Sequence, residues 1–202
     1  MKLPPKLAPI QVVLVPIYKN ETEKAAVMEV ANKVFAELKA AGIRIKMDDR
    51  EEVTPGFKYN DWEMRGVPLR IEVGPKDVAK GSVALARRDI PGRDGKRFVP
   101  QDNLPATVTE TLEAIQTSML QQATEFRDAN IHNPKDYAEL TEVVKDGWAF
   151  SYWCENADCE SKVKADTKAT TRVIPFDQPE SAGTCIVCGK QAEKKVYFAR
   201  AY

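Results

Sequence analysis

The chain has 202 residues, of which 43% are hydrophobic and 30% charged. Lysine plus arginine and aspartate plus glutamate number 30 each, so the net charge is zero. That argues against a protein that coats nucleic acid indiscriminately, yet leaves room for a local basic site. No apolar run approaches the ~20 residues of a membrane span, and the opening Met-Lys-Leu-Pro-Pro-Lys-Leu lacks a signal-peptide core. These features predict a cytoplasmic protein without membrane contact.

Residues 1–7 read as a tail. Residues 10–17 form a nearly continuous β-branched run, as a buried parallel strand does. Thr22 is placed to cap the following helix, which presents Val27, Val30, Ala31, Val34, Phe35 and Leu38 on one face and stops at Gly42. A second strand at 43–47 completes a βαβ unit with a right-handed crossover.

Residues 54–77 then combine turn, helix and strand. Thr54-Pro55-Gly56 is a turn, and residues 57–65 a short helix carrying Tyr59, Trp62, Glu63 and Arg65. Gly66 ends it, because only glycine takes the left-handed C′ conformation freely. Leu69-Arg70-Ile71-Glu72-Val73 alternates as a half-buried strand, and Gly74-Pro75 breaks it and presents Lys76 and Asp77. Carboxylate, guanidinium and ammonium groups beside aromatic rings are the groups that read an unstacked nucleotide. Trp62 and Phe57 fit core positions equally well, and Glu63, Arg70 and Lys76 an ordinary solvated face.

Strands are expected at 82–86 and 96–99, joined by the turn Pro91-Gly-Arg-Asp-Gly95. A basic cluster, Arg87, Arg88, Arg93, Lys96 and Arg97, lies here. Residues 106–130 read as a long helix with Val108, Leu112, Ile115, Met119 and Phe126 on one stripe, buried in a core or packed between domains. Asn133-Pro134 starts another helix, which ends at Gly147. A strand at 148–153, a helix at 158–167, a strand at 170–175, a knuckle at 185–189 and a terminal strand or extended tail from Val196 complete the chain.

Cys154 and Cys159 are separated by four residues, and Cys185 and Cys188 by two. Two close pairs on separate segments suit a tetrahedral structural zinc site with four thiolate ligands. Four free thiols, or a redox pair at Cys185 and Cys188, are the alternatives. The single histidine, His132, lies outside this pattern and reads as a capping or surface residue. No Gly-x-Ser-x-Gly elbow, P-loop or Gly-x-Gly-x-x-Gly is present. Acidic pairs such as Asp48-Asp49 and Glu51-Glu52 read as surface.

Residues 7–17 resemble the opening strand of the anticodon-binding domain of prolyl-tRNA synthetase, and residues 54–77 are similar to that family's most distinctive block. The cysteine pairs and the C-terminal Tyr202 resemble the extra zinc-binding domain of its archaeal/eukaryotic type. The resemblance implies an α/β anticodon-binding domain at 8–104, with a mixed five-stranded sheet and flanking helices as in other class II synthetases. A connecting helix at 105–131 and a small α+β zinc-binding domain at 132–202 would follow. It also implies a C-terminal fragment of a proline–tRNA ligase. The ATP-using catalytic domain is missing, so the fragment alone should be inactive. The intact enzyme would be a homodimer, and the fragment is free to be monomeric.

The family reads the two guanines common to proline anticodons. By resemblance the matching positions are Glu63, Arg70, Lys76 and Asp77, with Tyr59 placed to stack and Lys96 approaching the second guanine. Arg88 is a phosphate-contact candidate on charge alone. In the family the terminal tyrosine tail folds back toward the catalytic domain, which would give Tyr202 a place at the intact enzyme's active site. The alternative is a free-standing, zinc-stabilised protein-interaction domain without RNA binding.

Overall fold

Every residue of β1 (Val12–Pro16) is buried, because this strand lies at the interior of a five-stranded sheet ordered β2 (Ile45–Met47), β1, β3 (Leu69–Val73), β4 (Ser82–Arg87) and β5 (Lys96–Pro100). The computed structural model describes residues 1–201; Tyr202 and the role expected of it lie outside the described residues. Two compact units are present, Met1–Gln122 and the remainder from Ala123.

In the first unit β1 pairs in parallel with β2 (Ile45–Met47) on one side and β3 (Leu69–Val73) on the other. β4 (Ser82–Arg87) and β5 (Lys96–Pro100) continue as an antiparallel meander, which makes the sheet mixed as expected. Helix α1 (Glu21–Ala40) covers one face with Val27, Ala31, Val34 and Leu38. Its cap is Asn20, whose side chain accepts from Glu23 N–H, and not the expected Thr22. Asn20 has the extended backbone that an N-cap needs, and Thr22 lies inside the first turn. Leu104, Val108, Leu112 and Ile115 of α4 (Leu104–Ala129) close this core against Leu14, Leu69, Ile71 and Leu85. Truncating one of these buried leucines to alanine should cost about 2–5 kcal/mol. Phe126, expected on the same buried stripe, is 73% exposed.

The opposite face of the sheet receives α2 (Pro55–Met64), which is capped by Thr54 and has Pro55 at its start. Trp62 of α2 packs with Val13, Val15 and Val67, whereas Phe57 is exposed. Gly66 follows α2 with φ of 79°, as its assigned role requires. A short helix not expected from the sequence, α3 (Pro75–Ala79), begins directly after β3. Residues 1–7 are pinned: Arg44 donates to the Pro5 and Ala8 carbonyls, and Leu3 N–H to Gly66 O.

The second unit holds a four-stranded sheet ordered β6-β7-β11-β8, made of β6 (Ile131–His132), β7 (Trp148–Trp153), β8 (Ala169–Val173) and β11 (Lys194–Arg200). Leu140, Val144, Ala149, Val163, Val196 and Phe198 form its core. Helix α5 (Tyr137–Val143) is capped by Asp136, and not by Asn133 ahead of Pro134. α6 (Ala157–Thr167) follows β7, and a two-stranded pair of β9 (Gly183–Thr184) and β10 (Gln191–Ala192) frames the cysteine knuckle.

Candidate nucleic-acid interface and metal centre

Strand alternation places Arg70 and Glu72 on the face of β3 away from the main core. Across the sheet Arg70 is in register with Ala86, and Ala86 with Lys96; Glu72 is in register with Ala84, and Ala84 with Phe98. Two alanines on β4 therefore floor a shallow trough between the charged residues of β3 and those of β5. Gly95 brings β5 back tightly enough for this: a Cβ there would lie 2.8 Å from the Arg87 carbonyl and closer still to that of Ile90.

Helix α2 supplies the trough's other wall. Tyr59 and Glu63, four residues apart, share one side of the helix, and Trp62 anchors the next row. Trp62 Nε1 donates to Asp48 Oδ2 at 2.7 Å, and Arg50 binds both Asp48 oxygens at 2.8 Å. Asp48 is only 3% exposed. Burial opposes its ionisation, but the Arg50 and Trp62 donors outweigh that and hold the carboxyl at about 2. Asp48 was expected at the surface with Asp49; it instead staples α2 to the end of β2.

Five expected RNA-binding residues meet here. The Arg70 guanidinium lies 3.8 Å from the Tyr59 ring centre. Glu63 accepts from Arg70 Nη1 at 3.3 Å and forms an ion pair with Arg88, whose Nη1 lies 3.1 Å from Oε2. Arg70 Nε donates to Glu72 Oε1 at 3.0 Å, and Lys96 Nζ to Glu72 Oε2 at 2.7 Å. Burial raises the Tyr59 hydroxyl's pKa and the negative charge of Glu72 adds to it, so the hydroxyl stays protonated beside Glu72. Burial works against the Glu72 carboxylate, but Lys96 and Arg70 keep its pKa below the ordinary value. With Arg70, Arg88 and Lys96 set against Glu63 and Glu72, the cluster carries one net positive charge.

Lys76 and Asp77 stand apart from these contacts, on α3 beyond the C-terminal end of β3. Lys76 is exposed. Asp77 Oδ2 accepts from Gly74 N–H at 2.9 Å, so half of its carboxylate caps α3. Glu72 is the member that sequence reasoning missed. Alternation with Arg70 was the available sign, but it could not show that two cations two strands apart converge on one carboxylate.

In the second unit Cys154 directly follows β7, Cys159 lies on α6, and Cys185 and Cys188 form the knuckle. The Sγ atoms all lie within 4.8 Å of one another, with Cys154 3.6 Å from both Cys159 and Cys188. A disulfide needs about 2 Å, whereas four thiolates around one ion at about 2.3 Å stand roughly 3.8 Å apart. The four residues thus fit a closed tetrahedral metal site. Ile186 N–H donates to the Tyr152 carbonyl and ties the knuckle to β7. Burial pushes the Cys159 thiol up. At Cys185 burial acts the same way, but N–H groups of Cys188, Val187 and Cys154 outweigh it and bring the thiol to about 7. No helix among the described residues is long and apolar enough to cross a membrane.

Residues 11–111 match the family described as "Anticodon binding domain", and residues 137–202 that described as "Prolyl-tRNA synthetase, C-terminal". A proline–tRNA ligase of Roseiflexus sp. (strain RS-1) is 50% identical over 99% of this chain and 42% of its own length. The chloroplastic/mitochondrial proline–tRNA ligase of Arabidopsis thaliana is 47% identical over 100% of this chain and 38% of its own. The crystal structure of prolyl-tRNA synthetase from Cryptosporidium parvum, complexed with L-proline and AMP, matches with a TM-score of 0.91. It is 34% identical, and the match covers 100% of this chain and 43% of that one. The chain spans about two fifths of the length of the curated relatives it matches.

Proposed function

The chain belongs to the prolyl-tRNA synthetase family, of which it comprises the anticodon-binding and C-terminal domains, and from that premise we propose that it reads the anticodon of proline tRNA for a ligase that joins proline to tRNA using ATP. The observation that carries this reading is the alanine-floored trough, ringed by Tyr59, Glu63, Arg70, Arg88 and Lys96. An ionised carboxylate accepts from N1–H and N2–H of an unpaired guanine, and arginine or lysine donates to its O6 and N7. Glu63 supplies the first, and Arg70 and Lys96 the second: their shared hold on Glu72 favours one guanine for both, in place of the second guanine that the resemblance implied for Lys96. The exposed part of Tyr59 stacks, with its other side braced by Arg70. Lys76 and Asp77 offer a cation and the remaining carboxylate oxygen to the neighbouring guanine from the end of β3. Arg88 contacts phosphate.

The second unit holds a structural zinc ion on Cys154, Cys159, Cys185 and Cys188. Four thiolates leave the ion no open position, so it stabilises the fold and performs no hydrolysis. The cytoplasm, a compartment in which aminoacylation occurs, is where this reading places the protein.

The test is binding of this chain, at fixed salt, to a proline tRNA transcript and to the same transcript with both anticodon guanines replaced. Replacement should weaken binding about tenfold or more, the scale of one or two base contacts. Equal binding would reduce the trough to a charged surface. The alternative, a free-standing interaction module, rests on the exposed Leu120 and Phe126 of α4, and the family membership does not favour it.

A further inference from the structure

Glu72 is 5% exposed, yet it is the common partner of two cations from different strands. Lys96 reaches it from β5 by passing over Ala84 and Ala86 of β4. Strands are about 4.8 Å apart, so the backbones of β5 and β3 lie roughly 10 Å apart; the Lys96 and Glu72 side chains bridge that gap together, and only small side chains on β4 leave them the path. Glu72 takes the Nε edge of Arg70, while Glu63 takes Nη1. The Nη2 donors are left without a protein partner among the described residues. Lys96 spends one ammonium hydrogen on Glu72 and keeps two. Long cationic side chains lose much rotamer freedom when held in one geometry, and like charges would push these two apart without an anion between them.

We propose that Glu72 is a positioning residue for base recognition: buried beneath the trough, it never touches RNA, but it fixes Arg70 and Lys96 so that their remaining donors converge on the O6/N7 edge of one guanine. This inference rests on the anticodon-reading function proposed above. It makes base specificity depend on a residue whose removal adds positive charge to the site.

That sign separates positioning from general electrostatics. Glu72→Gln keeps the side-chain shape, but its amide group turns donors toward Arg70 or Lys96, and the net charge rises by one. If Glu72 merely balanced charge, the variant would bind every RNA more tightly and by the same factor. If it positions, the preference for guanine falls while binding to RNA without those guanines is kept or strengthened. Binding of the 202-residue chain to the proline transcript and to the guanine-replaced transcript at one salt concentration gives the ratio directly, with thermal unfolding recorded in parallel. Glu72→Gln should lower the wild-type ratio about tenfold, the scale of a base contact. A ratio within twofold of wild type overturns the inference. Absence of discrimination by the wild-type chain would instead overturn the anticodon-reading function itself. Should Glu72→Gln fail to fold, Ala86→Leu carries the same test. It leaves every charge in place but puts a bulky side chain in register between Arg70 and Lys96. Loss of discrimination is again expected, and an unchanged ratio refutes the role.

Discussion

Asp48→Asn is expected to loosen α2, with a pH signature that identifies the cause. The native carboxyl titrates at about 2 instead of the ordinary 3.8. At about 1.4 kcal/mol for each tenfold change in proton affinity, its ionised form contributes roughly 2 kcal/mol to stability. Because the folded-state pKa is depressed, that contribution is complete above about pH 4 and is lost as pH falls toward 2. About half should remain at pH 3. Asparagine keeps the size and one acceptor for Trp62 Nε1, but it loses the charge that holds Arg50. The assay is urea unfolding followed by Trp62 emission, with Trp148 and Trp153 replaced by phenylalanine in both proteins. The gap between the proteins should be about 2 kcal/mol at pH 7 and close to zero at pH 2. An equal gap at both pH values would refute the account, since the cost would then come from packing and not from the ionised carboxylate.

Three further outcomes follow from the geometry. Purified protein should carry about one zinc per chain, with its four thiols titrating only after a chelator is added; metal affinity should weaken as pH falls, because the ligating thiols must lose their protons. Free thiols in the untreated protein would restore the redox alternative. Arg88→Ala should reduce guanine discrimination as well as affinity, by about 1–3 kcal/mol, because Arg88 also holds Glu63 Oε2 at 3.1 Å; an even loss across all RNAs would mark it as a phosphate contact alone. Gly95→Ala should destabilise the first unit by about 2 kcal/mol, read by thermal unfolding, since its new methyl meets two backbone carbonyls that cannot rotate away.

The parts of this fold that periodicity controls were legible in the sequence. The β-branched run at β1, the apolar face of α1 and the alternation of β3 each sit where their spacing predicts. Caps were harder to assign. Asn20 and Thr22 are both chemically able to cap α1, as are Asn133 and Asp136 ahead of α5, and only backbone geometry separates them. α3 escaped notice because its five residues are too few to show a period. Phe126 continued the α4 stripe in sequence, but that stripe is buried only as far as the first unit's core extends. Spacing alone brought the four cysteines together. The trough was half legible: Tyr59, Glu63 and Arg70 lie close in sequence, whereas the convergence of Lys96 on Glu72 depends on strand order and on two alanines that carry no chemistry of their own.

The mixed sheet also implies an order of assembly. β3, β4 and β5 are joined by short connections, so their antiparallel pairs close small loops at little entropic cost. β1 must instead wait for β3 across α1, β2 and α2, since Val12 pairs with Leu69. Arg70, Glu72, Ala84, Ala86 and Lys96 all lie in the local meander. Amides of β4 and β5 should therefore gain protection before those of β1 in pulse-labelled hydrogen exchange during refolding, and simultaneous protection would contradict this order. The strand floor of the proposed RNA surface is then drawn from the earliest-folding part of the sheet, while α2, with Tyr59 and Glu63, and the buried parallel strands complete it afterwards.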